Sequence, residues 1–232
     1  MAQYTIYDAQ KTARIGRLID HLYAAPPEIE ADRAELITES YRATEGEPIV
    51  ARRSKAFYHI LENLPITIRP DELVVGSATQ APRGCQTFPE FSYEWLEGEL
   101  DTVSTRKADH FAISEDTKRR LRATFGYWKG KTTSELATAY MAPETLRAMR
   151  HNVFTPGNYF YNGVGHICVQ YDKVLRIGFR GIRREAEEAL AQLHVSDGDY
   201  ARRHEFLEAV IRSCDAVILY ARRYAALAEE QA

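Results

Sequence analysis

The sequence predicts a mainly α-helical chain with one small, irregular β element near residues 66–91. Three observations carry that reading. Apolar residues recur at helical spacing over most of the chain, as in Ile15, Leu18, Ile19 and Leu22. Proline and glycine fall between most of these stretches, at Pro26–Pro27, Gly46–Pro48, Pro65, Gly130 and Pro143. Only ITIRP and ELVVG, within 66–76, have the short β-branched character of strands.

Residues 13–25 read as an amphipathic helix, stopped by Pro26 and Pro27. A second helix covers about 30–45 and ends at TEGEP, where Gly46 suits the position just past a helix end. Pro48 suits the first turn of a third helix. Phe57, Ile60, Leu61 and Leu64 are its expected buried stripe, and Pro65 ends it. Pro70-Asp71 marks a turn, and ELVVG is expected to form a short buried strand. The following APRGCQTFPEF is irregular. Arg83 there has two readings, a clamp on a carboxylate or phosphate and a brace between loops. Cys85 has no sequence neighbour to lower its pKa, so a small core hydrophobe is expected.

SYEWLEGELDTV reads as a short helix with Trp95 and Leu96 in the core. Ser114 caps EDTKRRLRATF, whose acidic first turn suits the helix dipole. YWKGKT breaks the pattern around Gly130. SELATAYM and PETLRAMR are two further helices, the second with Pro143 at its first position. A long helix covers about 170–194, HVSDGD turns, and Asp197 or Asp199 caps a final helix reaching nearly to Ala232. Phe206, Val210, Cys214, Val217 and Leu219–Tyr220 form its apolar face. Arg202, Arg203, Arg212, Arg222 and Arg223 are expected to point outward as a solvated face. No repeat or low-complexity linker divides the chain. It ends inside a helical pattern with no Gly or Pro stop, as a truncated reading frame or a split gene would.

Composition narrows the function. Hydrophobic content of 45% and charged content of 27% in 232 residues are ordinary for a globular protein able to bury a core. The net charge of −3 argues against a dedicated nucleic-acid binder. No apolar run is long enough to span a bilayer, and the N-terminus lacks the pattern of a secretory signal. Cys85, Cys168 and Cys214 are odd in number and widely spaced, which suggests neither a disulfide framework nor a metal site. A reducing cytoplasm fits.

The stretch Phe154–Ile182, FTPGNYFYNGVGHICVQYDKVLRIGFRGI, is the candidate site. Turn residues Pro156 and Gly157 precede Tyr159, Phe160 and Tyr161. Gly163, Gly165 and His166 then run into a helical pattern. Glycines let a backbone approach a ligand closely, and a polar loop side chain framed by aromatics describes a pocket wall. A Gly-rich connector with core aromatics has the same composition, and both readings stand.

The segment GVGHICVQYDKVLRIGFRGI resembles the substrate-proximal segment of the glycyl radical enzymes, the pyruvate formate-lyase family. TESYRATEGEPIVARRSKAF, ELVVGSATQAPRGCQTFPEFS and YWKGKT resemble further family blocks in the same order, from about Arg14 onward. The resemblance implies that residues 1–232 are a partial domain, the N-terminal helical part of an α/β barrel that has ten strands in full-length members. Such enzymes use a thiyl cysteine and a glycyl radical installed by an iron–sulfur, S-adenosylmethionine-dependent activating enzyme. The family's glycyl loop reads roughly Arg-Val-x-Gly-Tyr. The nearest match here, Phe125-Gly126-Tyr127, has Ala123 in place of the Arg, and no cysteine sits in a thiyl-loop context. The resemblance therefore implies no catalytic residue and no bound cofactor in this chain, and inactivity of the chain alone.

What it does imply is part of a substrate pocket. His166 stands where pyruvate formate-lyase has an Arg that holds the substrate carboxylate, which speaks against pyruvate. In the dehydratase-like branch, similar to glycerol and propanediol dehydratases, a His there contacts a substrate hydroxyl. Gln170 stands where many relatives, choline trimethylamine-lyase among them, have Asp, which disfavours a cationic substrate. Asn162 and Tyr161 are further candidate pocket residues, and Asp172 reads as a first-turn helix charge. The implied reaction is radical C–O or other C–X cleavage of a small polar metabolite by an anaerobic, cytoplasmic lyase or dehydratase. The implied partners are the remainder of the enzyme, in cis or as a companion chain, and the activating enzyme, with a homodimer as one assembly. A stand-alone helical assembly or regulatory partner and a truncated, non-functional product are the alternatives.

Overall fold

The computed structural model describes residues 12–156 and 169–232. These are mainly helical, with one two-stranded parallel sheet. Helix α1 (Ala13–Ala24) is capped by Thr12, whose hydroxyl accepts from the Ile15 amide. It buries no side chain. It is held instead at a turn, where Arg14 donates to the Asp71 carbonyl at 2.8 Å and Arg17 pairs with the Asp71 carboxylate.

Strand β1 (Glu28–Glu30) runs parallel to β2 (Gly84–Gln86), with Ile29 opposite Cys85. The sheet thus draws one strand from the expected 66–91 region and the other from the short link between the first two expected helices, overlapping the second only at Glu30. ELVVG is not a strand, and Leu73 and Val74 are 77% and 91% exposed. The reason is a competition for backbone partners. Gln80 and Ala81 both donate their amides to the buried Glu30 carboxylate, at 2.9 and 2.8 Å. The carbonyls of Thr79 and Ala81 accept from the Arg69 guanidinium, at 2.7 and 2.9 Å. The loop is wrapped around two charged side chains and leaves no ladder for 72–76 to join. Gly84 is required by this arrangement, because a Cβ there would lie 2.4 Å from Glu30 Oε1 and 2.7 Å from Thr79 Cβ.

Helices α2 (Asp32–Ala43), α3 (Ile49–Asn63), α4 (Glu94–Glu99) and α5 (Glu115–Trp128) enclose the core. Ile29, Ile37, Ile60, Leu64, Leu96, Leu100, Leu121 and Phe125 meet there. Strand β2 supplies a cap to α2, since the Arg33 amide donates to Gln86 Oε1. Trp128 donates its indole N–H to Thr38 at 2.8 Å, both buried, which satisfies two polar groups inside the core. Ser114 caps α5 as expected, accepting from the Thr117 amide. Phe57 and Trp95, expected in the core, lie at the surface, 40% and 51% exposed. Both occupy the rim of their helix stripes, and the core is filled by Ala56 and Leu96 beside them.

Helices α6 (Thr133–Ala139) and α7 (Pro143–Arg150) follow, α6 opened by a Thr132–Glu135 capping box and α7 by Pro143. Helix α9 (Tyr200–Gln231) packs along α3, and α8 (Tyr171–Ala191) packs against α9. Ala209, Cys214, Ala216 and Tyr224 are the buried residues of α9. The expected outward row of arginines is corrected at two positions. Arg212 donates to Ser54 on α3, and Arg223 donates to the carbonyls of Leu61 and Leu64 at the α3 C-terminus. At the other end of α3, Glu205 accepts from the Ala51 amide. The final helix therefore puts a carboxylate at the positive end of α3 and a guanidinium at its negative end.

Candidate functional site

The candidate site lies at the head of α8. Gln170 is the residue before the first helical position; its carbonyl accepts from the Val174 amide and its exposed side chain makes no cap. Asp172 sits in the first helical turn, where the sequence placed it as a helix charge. Tyr161, Asn162 and His166 lie outside the described residues, as do Gly163, Gly165 and Cys168.

Gln170 leads into an unusual helix. At Gly178 the backbone has φ 63° and ψ 178°, so α8 consists of two helical limbs meeting at a break. Lys173 on the first limb and Glu185 on the second form an ion pair at 2.6 Å.

Arg83 donates to the Ala25 carbonyl at 3.3 Å and is a brace between loops. Cys85 is exposed rather than in the core. It lies beside a 490 Å³ apolar cleft with Phe88, Phe91, Trp95 and Phe111. Burial of its sulfur, and then the Glu30 charge, push the thiol up, away from nucleophilic character. Burial first, then Asp215, does the same to Cys214. A second cleft of 660 Å³ between α2, α3 and α9 is lined by Glu39, Lys55, His59 and Arg212, among others. His59 pairs with Glu39 at 3.1 Å. Among the described residues no three His, Cys, Asp or Glu side chains are grouped to hold a metal, and no helix is long and apolar enough to cross a membrane.

Glu30 and Arg69 organise the loop beside β2 and were not among the residues expected to matter. A lone Glu and a lone Arg carry no local signal of burial. The Thr132–Glu135 box did have one, the Thr-x-x-Glu spacing that opens helices.

Residues 8–232 match the family described as pyruvate formate lyase-like. The chain belongs to that family. Among curated relatives, isethionate sulfite-lyase of Desulfovibrio desulfuricans is 33% identical over 229 residues, which is 94% of this chain and 27% of the relative. The (2S)-3-sulfopropanediol dehydratase of Klebsiella oxytoca is 29% identical over 94% of this chain and 27% of the relative. Among solved structures, that of the Roseburia inulinivorans enzyme of 1,2-propanediol dehydration is 66% identical with a TM-score of 0.91. It covers 96% of this chain and 28% of that one. The glycerol-bound, B12-independent glycerol dehydratase of Clostridium butyricum is 53% identical with a TM-score of 0.91, at the same coverage. A structure described as a glycyl radical enzyme of Archaeoglobus fulgidus is 33% identical with a TM-score of 0.86. The chain thus spans little more than a quarter of the length of these relatives. The pyruvate formate lyase-like relatives are glycyl radical dehydratases and lyases.

Proposed function

We propose that this chain supplies a substrate-facing part of a glycyl radical dehydratase acting on a small, neutral, vicinal diol. The observation that supports this most is the 66% identity, over 96% of the chain, to the enzyme of 1,2-propanediol dehydration. The residues fit a neutral substrate. Gln170 presents an amide where a carboxylate would favour a cation, and an amide can both donate to and accept from a hydroxyl. His166 orients the hydroxyl that leaves and gives it a proton, a role suited to a group that titrates near neutrality. Asn162 and Tyr161 complete the polar wall. The radical chemistry belongs to the remaining three quarters of such an enzyme, in cis or as a companion chain, with an S-adenosylmethionine and iron–sulfur activating enzyme installing the glycyl radical. The 232-residue chain alone is inactive on this reading. The activity is anaerobic and cytoplasmic, and the full enzyme acts as a homodimer.

The test joins the 232-residue chain, in place of the matching segment, to the rest of the Roseburia inulinivorans enzyme, with its activating enzyme and S-adenosylmethionine. Turnover of 1,2-propanediol or glycerol supports the proposal. An assembly that acquires the radical signal but turns over neither diol overturns it.

A further inference from the structure

The break in α8 is built rather than incidental. The angles at Gly178, φ 63° and ψ 178°, fall in a backbone region that is essentially closed to residues with a Cβ. Among the described residues nothing lies within 4 Å of the position a Cβ would take at Gly178, so it is the backbone conformation that demands glycine there. Gly181 is the reverse case. A Cβ there would lie 2.6 Å from Ile177 Cβ and 2.9 Å from its Cγ1, so Ile177 fills the notch that the missing side chain leaves. The Lys173–Glu185 pair shows how sharply the two limbs turn. In a continuous helix twelve residues rise about 18 Å, beyond the combined reach of a lysine and a glutamate. A 2.6 Å contact requires the first limb to fold back toward the second. Lys173, Val174 and Ile177 of that first limb are half-buried. Tyr171 and Leu175 are 71% and 86% exposed, while the second limb is packed against α9 through Arg183 and Asp215.

We infer that Gly178 and Gly181 form an elbow that positions Gln170 for substrate. This rests on the reading of Gln170 as a substrate-facing residue. Gly178 sets the direction in which residues 171–177 leave the α8–α9 layer. Ile177 seated on Gly181, and Lys173 bound to Glu185, lock that direction. Gln170 stands at the head of this limb, and among the described residues its side chain makes no capping bond that would fix it to the helix, so the elbow sets where it is carried. Gly178 and Gly181 are therefore positioning residues.

Two measurements test this. The first uses the joined enzyme described above, with distance labels at the exposed positions 172 and 188. The elbow predicts a separation well short of the roughly 24 Å that sixteen residues of continuous helix would give. Gly178→Ala lengthens it toward that value, and Gly181→Ala, which keeps the backbone angles and fills the notch, broadens and shifts it. If Gly178→Ala fails to fold, Gly181→Ala carries the test. A wild-type separation near the continuous-helix value overturns the elbow. The second uses the joined enzyme described above. Gln170→Ala and Gly178→Ala each raise KM for the diol by about fivefold, one hydrogen bond's worth, with kcat changed less. The double variant is no worse than Gln170→Ala alone. Additive effects overturn the positioning role while leaving Gln170 in the pocket. No effect of Gln170→Ala on KM removes Gln170 from the site and overturns both readings.

Discussion

At the scale of single residues, the organising feature of the irregular region is Glu30. Its buried carboxylate receives two loop amides and the Gln86 side-chain amide, the last at 2.7 Å. Glu30→Ala would strand all three donors, at about 1–3 kcal/mol for an orphaned buried group. We expect a fall in the urea midpoint without a change in slope. Gly84→Ala, which drives a methyl into that carboxylate, should destabilise through the same contact. An unchanged midpoint in both would remove Glu30 from the account. Glu135 gives a pH-dependent case. Partial burial, the first influence on it, raises its pKa, but donors from Gly130, Thr132 and Lys131 together outweigh it and leave the carboxyl below the usual glutamate value. Because the folded pKa is the lower one, the stabilisation is present above the unfolded glutamate pKa and is lost as pH falls through the folded value. The Tm gap between wild type and Glu135→Gln should therefore be open at pH 7 and close at strongly acid pH. A gap that is constant with pH would contradict the assignment.

At the scale of elements, most helices were legible because their punctuation is local. Thr12, Ser114 and Pro143 each open a helix within a few residues of where the sequence placed it. The β element was legible as a region, since β2 lies within 66–91, but its partner strand was not, because pairing Ile29 with Cys85 is a contact across more than fifty residues that no period announces. The apolar run ELVVG misled for a related reason. β-Branched character describes fitness for a sheet, but its backbone neighbours are already taken by Arg69 and Glu30. The break in α8 escaped notice as well, since a glycine inside an amphipathic pattern reads as a tolerated residue. Arg212 and Arg223 were placed outward because charge at helical spacing usually faces solvent; their partners are backbone and hydroxyl groups of α3. Arg223→Met keeps the aliphatic stem and removes the two donors to the α3 C-terminus. A loss of about 1–2 kcal/mol in equilibrium unfolding is expected for uncapping those carbonyls, whereas no loss would make Arg223 a surface residue.

At the scale of the whole molecule, the described residues leave large apolar side chains at the surface, including Tyr140, Val153, Leu175 and Phe206. Contiguous apolar surface is uncommon on soluble monomers, and the chain spans only 28% of the Roseburia inulinivorans structure it matches. The isolated chain is expected to bind a hydrophobic dye and to self-associate, and to do neither when joined to the rest of such an enzyme. A monomeric, dye-silent chain with a cooperative melt would instead favour a stand-alone helical module. Of the candidate site, the family blocks made the segment legible, since they span the chain in order. Within the described residues the site is represented by Gln170, which stands where the helical pattern begins, and the course of the limb behind it depends on backbone angles at Gly178 that composition does not encode. The central claim is that this chain brings His166 to a substrate hydroxyl. The most direct measurement is kcat/KM for 1,2-propanediol in the joined, activated enzyme with and without His166→Ala. The account predicts a loss of about 10²-fold or more, as expected of an acid–base group. A value within about threefold of the unsubstituted enzyme would contradict it.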